Sequence, residues 1–316
     1  MALFPIILPV FALILTGVIF RACRLLSNET AKQLIHYVYY VAIPATVIKT
    51  LSSYPLEKVW NRGFIGTYGL TTLVLFFLLI VFFKMKKQTF SNAIFFSLNG
   101  TNTMCAFIGL PLLVTLFGRE GIFPATLSIL VCVVLFSLAI FLLEIAKHSA
   151  KSKGEVLGKA LGGFFKNPIV IGTIVGSLLS LLDLPLPQSV HSYLNFFELS
   201  LTPCALFAVG LQIDVKNLYH DFLETVLISL FKLIFVPIVV LILVWIFDLK
   251  PLWAVGAVLS AALPTAKGNA ILCSAYIEDE RVSSKVSQTI TFTSFLSIFT
   301  LILWLIVLVH LFPGAF

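Results

Sequence analysis

Ser260-Ala-Ala-Leu-Pro-Thr-Ala-Lys-Gly-Asn-Ala270 lies inside an apolar run, Leu252 to Ile277, that is long enough to cross a bilayer. Near the middle of that run stand Pro264, Lys267, Gly268 and Asn269. Proline removes a backbone donor and clashes with the preceding turn, and glycine loosens the helix further. Hydrocarbon cannot satisfy a freed carbonyl or a lysine, so both must face protein or a water-filled cavity. The stretch therefore reads as a broken membrane helix that supplies half of a transport site. The competing reading is a kinked helix whose lysine snorkels to the interface.

Composition puts this run in a membrane. Of 316 residues, 59% are hydrophobic and 11% charged, and mean hydropathy is +1.07, whereas soluble domains carry about 25% charged residues. The fold class is all-α integral membrane, with room for about ten spans of roughly 20 residues each. No stretch outside the spans is long enough to fold as a soluble domain. The five cysteines (Cys23, Cys105, Cys132, Cys204, Cys273) sit in or at the ends of apolar runs and read as small apolar fillers. Neither they nor the five histidines show metal-ligand spacing, so no metal and no cofactor are expected. The first apolar run lacks a basic leader and a small-residue cleavage site and is expected to be a retained span.

Apolar runs place spans at about 4–20, 30–51, 63–83, 90–117, 122–146, 167–182, 190–213, 222–247, 252–277 and 282–311. Pro44 breaks span 2, and span 7 contains Pro203. Span 4 is interrupted at Asn99-Gly-Thr-Asn-Thr103 and again at Gly109-Leu-Pro111. The loops after odd-numbered spans hold 14 of the 21 lysines and arginines. Those after spans 2, 4 and 8 hold five, counting Lys49 as a solvated charge at the end of span 2. Basic loops stay in the cytoplasm, which places both termini outside. The net charge of +7 thus reports topology and does not call for a nucleic-acid partner.

The chain also repeats itself. Pro9 and Pro168, Gly17 and Gly176, and Pro44 and Pro203 are each separated by 159 residues. Two five-span repeats are expected, 1–146 and 167–316, joined by a cytoplasmic linker at 147–166. Five is odd, so the second repeat must be inverted relative to the first, as in many secondary transporters. The same offset carries Pro264 onto Cys105, between the two interruptions of span 4. Interrupted spans at matching positions in two halves are a strong sequence pointer to a binding site.

Several motifs resemble the auxin efflux carrier family. They are Ile43-Pro44, Phe107-Ile-Gly-Leu-Pro-Leu112, Lys166-Asn-Pro-Ile169, Thr202-Pro-Cys-Ala-Leu-Phe-Ala-Val-Gly-Leu211 and Leu263-Pro-Thr-Ala266. The resemblance covers essentially the whole chain. It implies ten transmembrane helices, with broken helices 4 and 9 crossing at the substrate site. It also implies a scaffold of helices 1, 2, 6 and 7 that moves relative to the transport part. The short central loop resembles bacterial members, which suggests a bacterial inner-membrane location. Where family members often carry an apolar residue, this chain has Lys267.

Helix N-termini at the two breaks suit carboxylates. Asn102, Thr101, Thr103, Thr265 and Asn269 supply hydrogen bonds, with Pro111 and Pro264 shaping the breaks; the alternative is that these side chains only satisfy freed backbone. Lys267 is open to three roles: counter-charge for an anion, proton carrier, or substitute for a coupling sodium ion. Glu198, the acidic residue deepest in a span, could pair with Lys267 or Lys232 or titrate itself. Lys232 is a coupling candidate or a snorkelling side chain. The expected function is secondary transport of a small organic anion, a carboxylate or auxin-like acid, by alternating access, with protons or sodium as coupling ion. A sodium symporter of the bile-acid type is the alternative, a channel a weaker one, and a homodimer is left open. Gly-x-Ser-x-Gly, His-Glu-x-x-His and phosphate-loop motifs are missing, so an enzyme is not expected.

Overall fold

The computed structural model describes residues 4–147, 165–212 and 222–316, together with Gly158 and Gly162. Most of the 147–166 linker, with Lys151, Lys153 and Lys159, and also Lys216, lies outside the described residues. The described chain is helical apart from its turns and one isolated β-bridge. In chain order the helices are α1 (Phe4–Ala22), α2 (28–51), α3 (62–85), α4 (Phe90–Thr101), α5 (105–117) and α6 (Ile122–Lys147). After the linker come α7 (Pro168–Leu181), α8 (Gln188–Leu211), α9 (222–246), α10 (Pro251–Ala262), α11 (Gly268–Tyr276) and α12 (Glu280–Leu311). Among the described residues six stretches are long and apolar enough to cross a membrane, and 8–22, α7 and α10 are shorter apolar helices. Large apolar side chains such as Leu78, Ile246 and Leu303 stand exposed, the arrangement of a protein solvated by lipid.

Prolines act in two ways. Pro44 does not break span 2, contrary to the sequence expectation: α2 runs on through a π-helical turn, Val38–Ala42, with Pro44 just beyond it. Gly109-Leu-Pro111 is likewise no second interruption, because α5 passes it through the π-helical turn Cys105–Gly109. A wide turn ahead of a proline absorbs the missing donor without ending the helix. Pro264 differs. Leu263 before it is extended (ψ 152°), as the residue before proline prefers, and α10 ends at Ala262.

Helices pack most closely where glycines leave room. A Cβ on Gly17 of α1 would lie 2.3 Å from the Phe207 carbonyl and 2.9 Å from Gly210 Cα of α8. A Cβ on Gly176 of α7 would lie 2.9 Å from Leu51 Cβ and 3.2 Å from the Ile48 carbonyl of α2. At Gly210 the nearest atom, the Ile14 carbonyl oxygen, would be 2.0 Å away. Backbone cannot retreat as a side chain can, so Gly210→Ala is expected to destabilise by about 1–3 kcal/mol. A lower apparent melting temperature in detergent would show it, with Gly66→Ala, which meets no neighbour within 4 Å, as the unchanged control.

Candidate functional site

Two helices stop inside the protein and exchange backbone hydrogen bonds. After Thr101 the chain is extended, and Thr103 pairs with Thr265 in an antiparallel bridge. The Met104 amide donates to the Pro264 carbonyl at 2.9 Å, and the Ala266 amide to the Asn102 carbonyl at 3.1 Å. Thus the strands at 102–104 and 264–266 supply each other with the partners that a broken helix loses in lipid. The lost helix termini are answered from the side. Lys232, fully buried on the π-helical turn of α9, donates to the Ala261 carbonyl at 2.7 Å. An ammonium there complements the negative end of α10. Lys232 therefore neither snorkels nor pairs with Glu198.

Three asparagines form a relay across the crossing. Asn99 Nδ2 donates to the Val286 carbonyl at 3.1 Å, which fixes the direction of the rest. Asn269 Nδ2 donates to Asn99 Oδ1 at 3.2 Å, and Asn102 Nδ2 to Asn269 Oδ1 at 2.8 Å. The relay ends in Asn102 Oδ1, a buried acceptor that has no donor among the described residues. A buried acceptor left unmet costs about 1–3 kcal/mol, so this oxygen is a place for a hydrogen-bond donor or a cation. Thr265 Oγ1 is spent on the Asn99 carbonyl at 2.7 Å, and Thr101 Oγ1 on Ser97 of its own helix.

A cavity of about 710 Å³ reaches the break. Asn102, Thr103 and Lys267 line it; Thr101, Pro111, Pro264, Thr265 and Asn269 do not. Its charged lining is cationic: Lys267 deep in the cavity, with Lys32 and Lys166 also on its wall, and no aspartate or glutamate among the described lining residues. Cys105, Ala106, Phe107 and Gly268, at the starts of α5 and α11, also face it. The first amides of a helix lack intrahelical acceptors, which adds positive potential there. Tyr39 stacks on Phe107 at a 6.4 Å centroid distance and, with Phe136, makes one wall apolar.

Lys267 Nζ donates to Gln212 Oε1, at the C-terminal end of α8, at 2.6 Å. That uses one of its three donors on a neutral acceptor, so the positive charge is not cancelled there. The partner suggested for it in the sequence is elsewhere. Glu198 Oε2 and Asn195 Oδ1, at 2.5 and 2.6 Å, hold Lys49 Nζ, and Lys49 is only 2% exposed. Lys49 is therefore no solvated end charge, and Glu198 reaches neither Lys267 nor Lys232. Gln212 was missed in the sequence because a lone glutamine at the end of an apolar run carries no signal of its own.

Crossings of broken helices recur at the binding sites of transporters, and the sequence comparisons point to membrane transport. The family model described as membrane transport protein matches residues 3–305. The chain belongs to this family, the auxin efflux carrier family. A relative from Rhizobium meliloti (strain 1021) that bears the name "Putative malonate transporter" is 27% identical over 306 residues, covering 93% of this chain and 92% of that protein. An uncharacterized transporter of Methanocaldococcus jannaschii is 23% identical, covering 95% and 96%. An uncharacterized transporter of Escherichia coli K12 is 22% identical, covering 85% and 87%. As a member of the auxin efflux carrier family with several long apolar helices, the chain is a multi-pass membrane protein of transport function.

Proposed function

We propose that this protein is a proton-coupled secondary transporter of a small organic anion, with a dicarboxylate as the favoured class. The observation that carries the reading is the cavity at the crossing, whose charged lining residues are all lysines, only the exposed Lys32 being paired, with Glu29 at 3.2 Å, among the described residues. An anion entering it meets Lys267, which spends one of its three ammonium donors among the described residues, near the amides that begin α5 and α11. Lys166, farther along the wall, suits a second carboxylate, while Lys32 there is held by Glu29. The relative named for malonate carriage points to the same class. Asn102 Oδ1 asks for a donor, and a carboxylic O–H supplies one. A monoprotonated dicarboxylate meets both demands, its carboxylate on Lys267 and its acid group on Asn102.

Alternating access follows from two inverted repeats, a reading that the glycine contacts support. Phe207 and Gly210, which crowd Gly17, lie 159 residues after Ile48 and Leu51, which crowd Gly176. The same contact thus occurs twice at the offset found in the sequence. In this topology Lys32, in the first turns of α2, and Lys166, just before α7, lie at the cytoplasmic ends of their helices, so the cavity opens inward and both termini lie outside.

Uptake of labelled malonate into proteoliposomes tests the function. Saturable uptake driven by an imposed pH gradient, acid on the side from which malonate enters, is expected. Replacing sodium by potassium is expected to leave the rate unchanged. Uptake that requires sodium and ignores the pH gradient would overturn proton coupling and favour a symporter of the bile-acid type. Ohmic current would mark a channel, and competition by indole acids but not dicarboxylates would move the substrate to the auxin-like class.

A further inference from the structure

Two cysteines of the cavity wall stand apart from the anion chemistry. Cys105, at the start of α5, and Cys132, in the middle of α6, approach to 3.7 Å between sulfurs. Both are free thiols, nearly buried from bulk solvent, yet both face the cavity. Cysteines that serve as apolar filler sit among apolar side chains. These two share a polar cluster instead. Thr103 Oγ1 lies 2.7 Å from Cys105 and 3.2 Å from Cys132, and the Tyr68 hydroxyl lies 3.5 and 3.7 Å from the same sulfurs. Thr103 is also the residue that forms the bridge to Thr265. Chemistry at this thiol pair therefore acts directly on the crossing.

We propose that Cys105 and Cys132 form a reversible oxidation site, a dithiol that hydrogen peroxide converts into a disulfide that arrests transport. One thiol, as its thiolate, attacks a peroxide oxygen and becomes a sulfenic acid while one water leaves. The second thiol displaces that hydroxyl as another water, so two thiols and one peroxide become one disulfide and two waters. Reduction by a small thiol restores the pair. Closing 3.7 Å to a bond of about 2.05 Å needs a shift of about 1.7 Å. The π-helical turn Cys105–Gly109 supplies the slack, being already wound wider than the α-helix on either side. Peroxide is small and neutral, so the cationic cavity admits it. The bond ties the first turn of α5 to α6 and, because Thr103 Oγ1 lies 2.7 and 3.2 Å from the two sulfurs, crowds that hydroxyl and forces Thr103, next to Asn102, to give way.

Purified full-length protein treated with hydrogen peroxide tests the site. Peptide mapping is expected to find a cross-linked pair containing residues 105 and 132, lighter by about 2 Da than its separate peptides. In proteoliposomes, malonate uptake is expected to fall at least about tenfold with peroxide and to recover with dithiothreitol, and Cys105→Ser and Cys132→Ser to be insensitive. Cys105→Ala serves if the serine variant does not fold. Absence of the cross-link, a gain of about 16 Da instead, or a full cross-link with unchanged uptake overturns the proposal. So does equal peroxide inhibition of the single variants. The arrest rests on transport through this cavity, whereas the bond does not. If untreated protein takes up no malonate, the dicarboxylate reading fails and the cross-linked peptide still decides the oxidation site.

Discussion

Lys267→Ala is expected to cut malonate uptake about 100-fold while leaving the protein folded. A hydrogen bond to a charged group contributes about 1.5–3 kcal/mol, and each 1.4 kcal/mol is about tenfold in affinity. The upper part of that range applies because the ammonium is part-buried and water screens it less than a surface charge. The fold should tolerate the change, since among the described residues Lys267 is held by one neutral amide, Gln212, and by no carboxylate. Lys267→Arg keeps the charge on a wider head and should retain part of the activity. Uptake kinetics of Lys267→Ala equal to the parent protein, at equal reconstitution, would remove this residue from the site. A collapse of the melting temperature would instead assign it to the fold.

Lys49→Ala should act on stability. Removing one member of a buried ion pair costs about 3–5 kcal/mol, because the other charge is left without compensation. Here the stranded group is Glu198, 14% exposed, so the lower end of that range is expected. The pair joins α2 to α8, and Lys49 also holds Asn195 of the same helix. Apparent melting temperature in detergent is expected to drop for Lys49→Ala and less for Glu198→Gln, which keeps an acceptor. Lys49→Met combined with Glu198→Leu should recover most of the loss, since two apolar groups leave no charge buried. An unchanged melting temperature in Lys49→Ala would show the pair to be energetically idle.

The site was legible in part. Pro264 and Gly268 announced a break in span 9, and the structure has it between Ala262 and Gly268. Asn99 to Thr103 announced the other, between Thr101 and Cys105. Not every proline announces a break, however. Pro44 and Pro111 look no different in the sequence, yet a π-helical turn takes up each missing donor. What separates Pro264 is the partner strand at 102–104, which rewards an extended backbone with hydrogen bonds. Gln212 and the Cys105–Cys132 contact were beyond reach, because nothing in one apolar run reports which run packs beside it.

By itself the sequence determined that the chain is a helical membrane protein and where two of its helices must break. It also identified the family, through motifs spread along the chain. These follow from local rules: apolar length sets the span, and proline and glycine punctuate it. Tertiary structure alone decided the partner of each buried polar group: Lys49 with Glu198, Lys232 with a helix end, Lys267 with an amide beside a cationic cavity. The physical reason is that these helices are apolar nearly all round, so their sequences carry little information about which face turns inward. Once packing sets that, burial leaves each charge only the partner within reach.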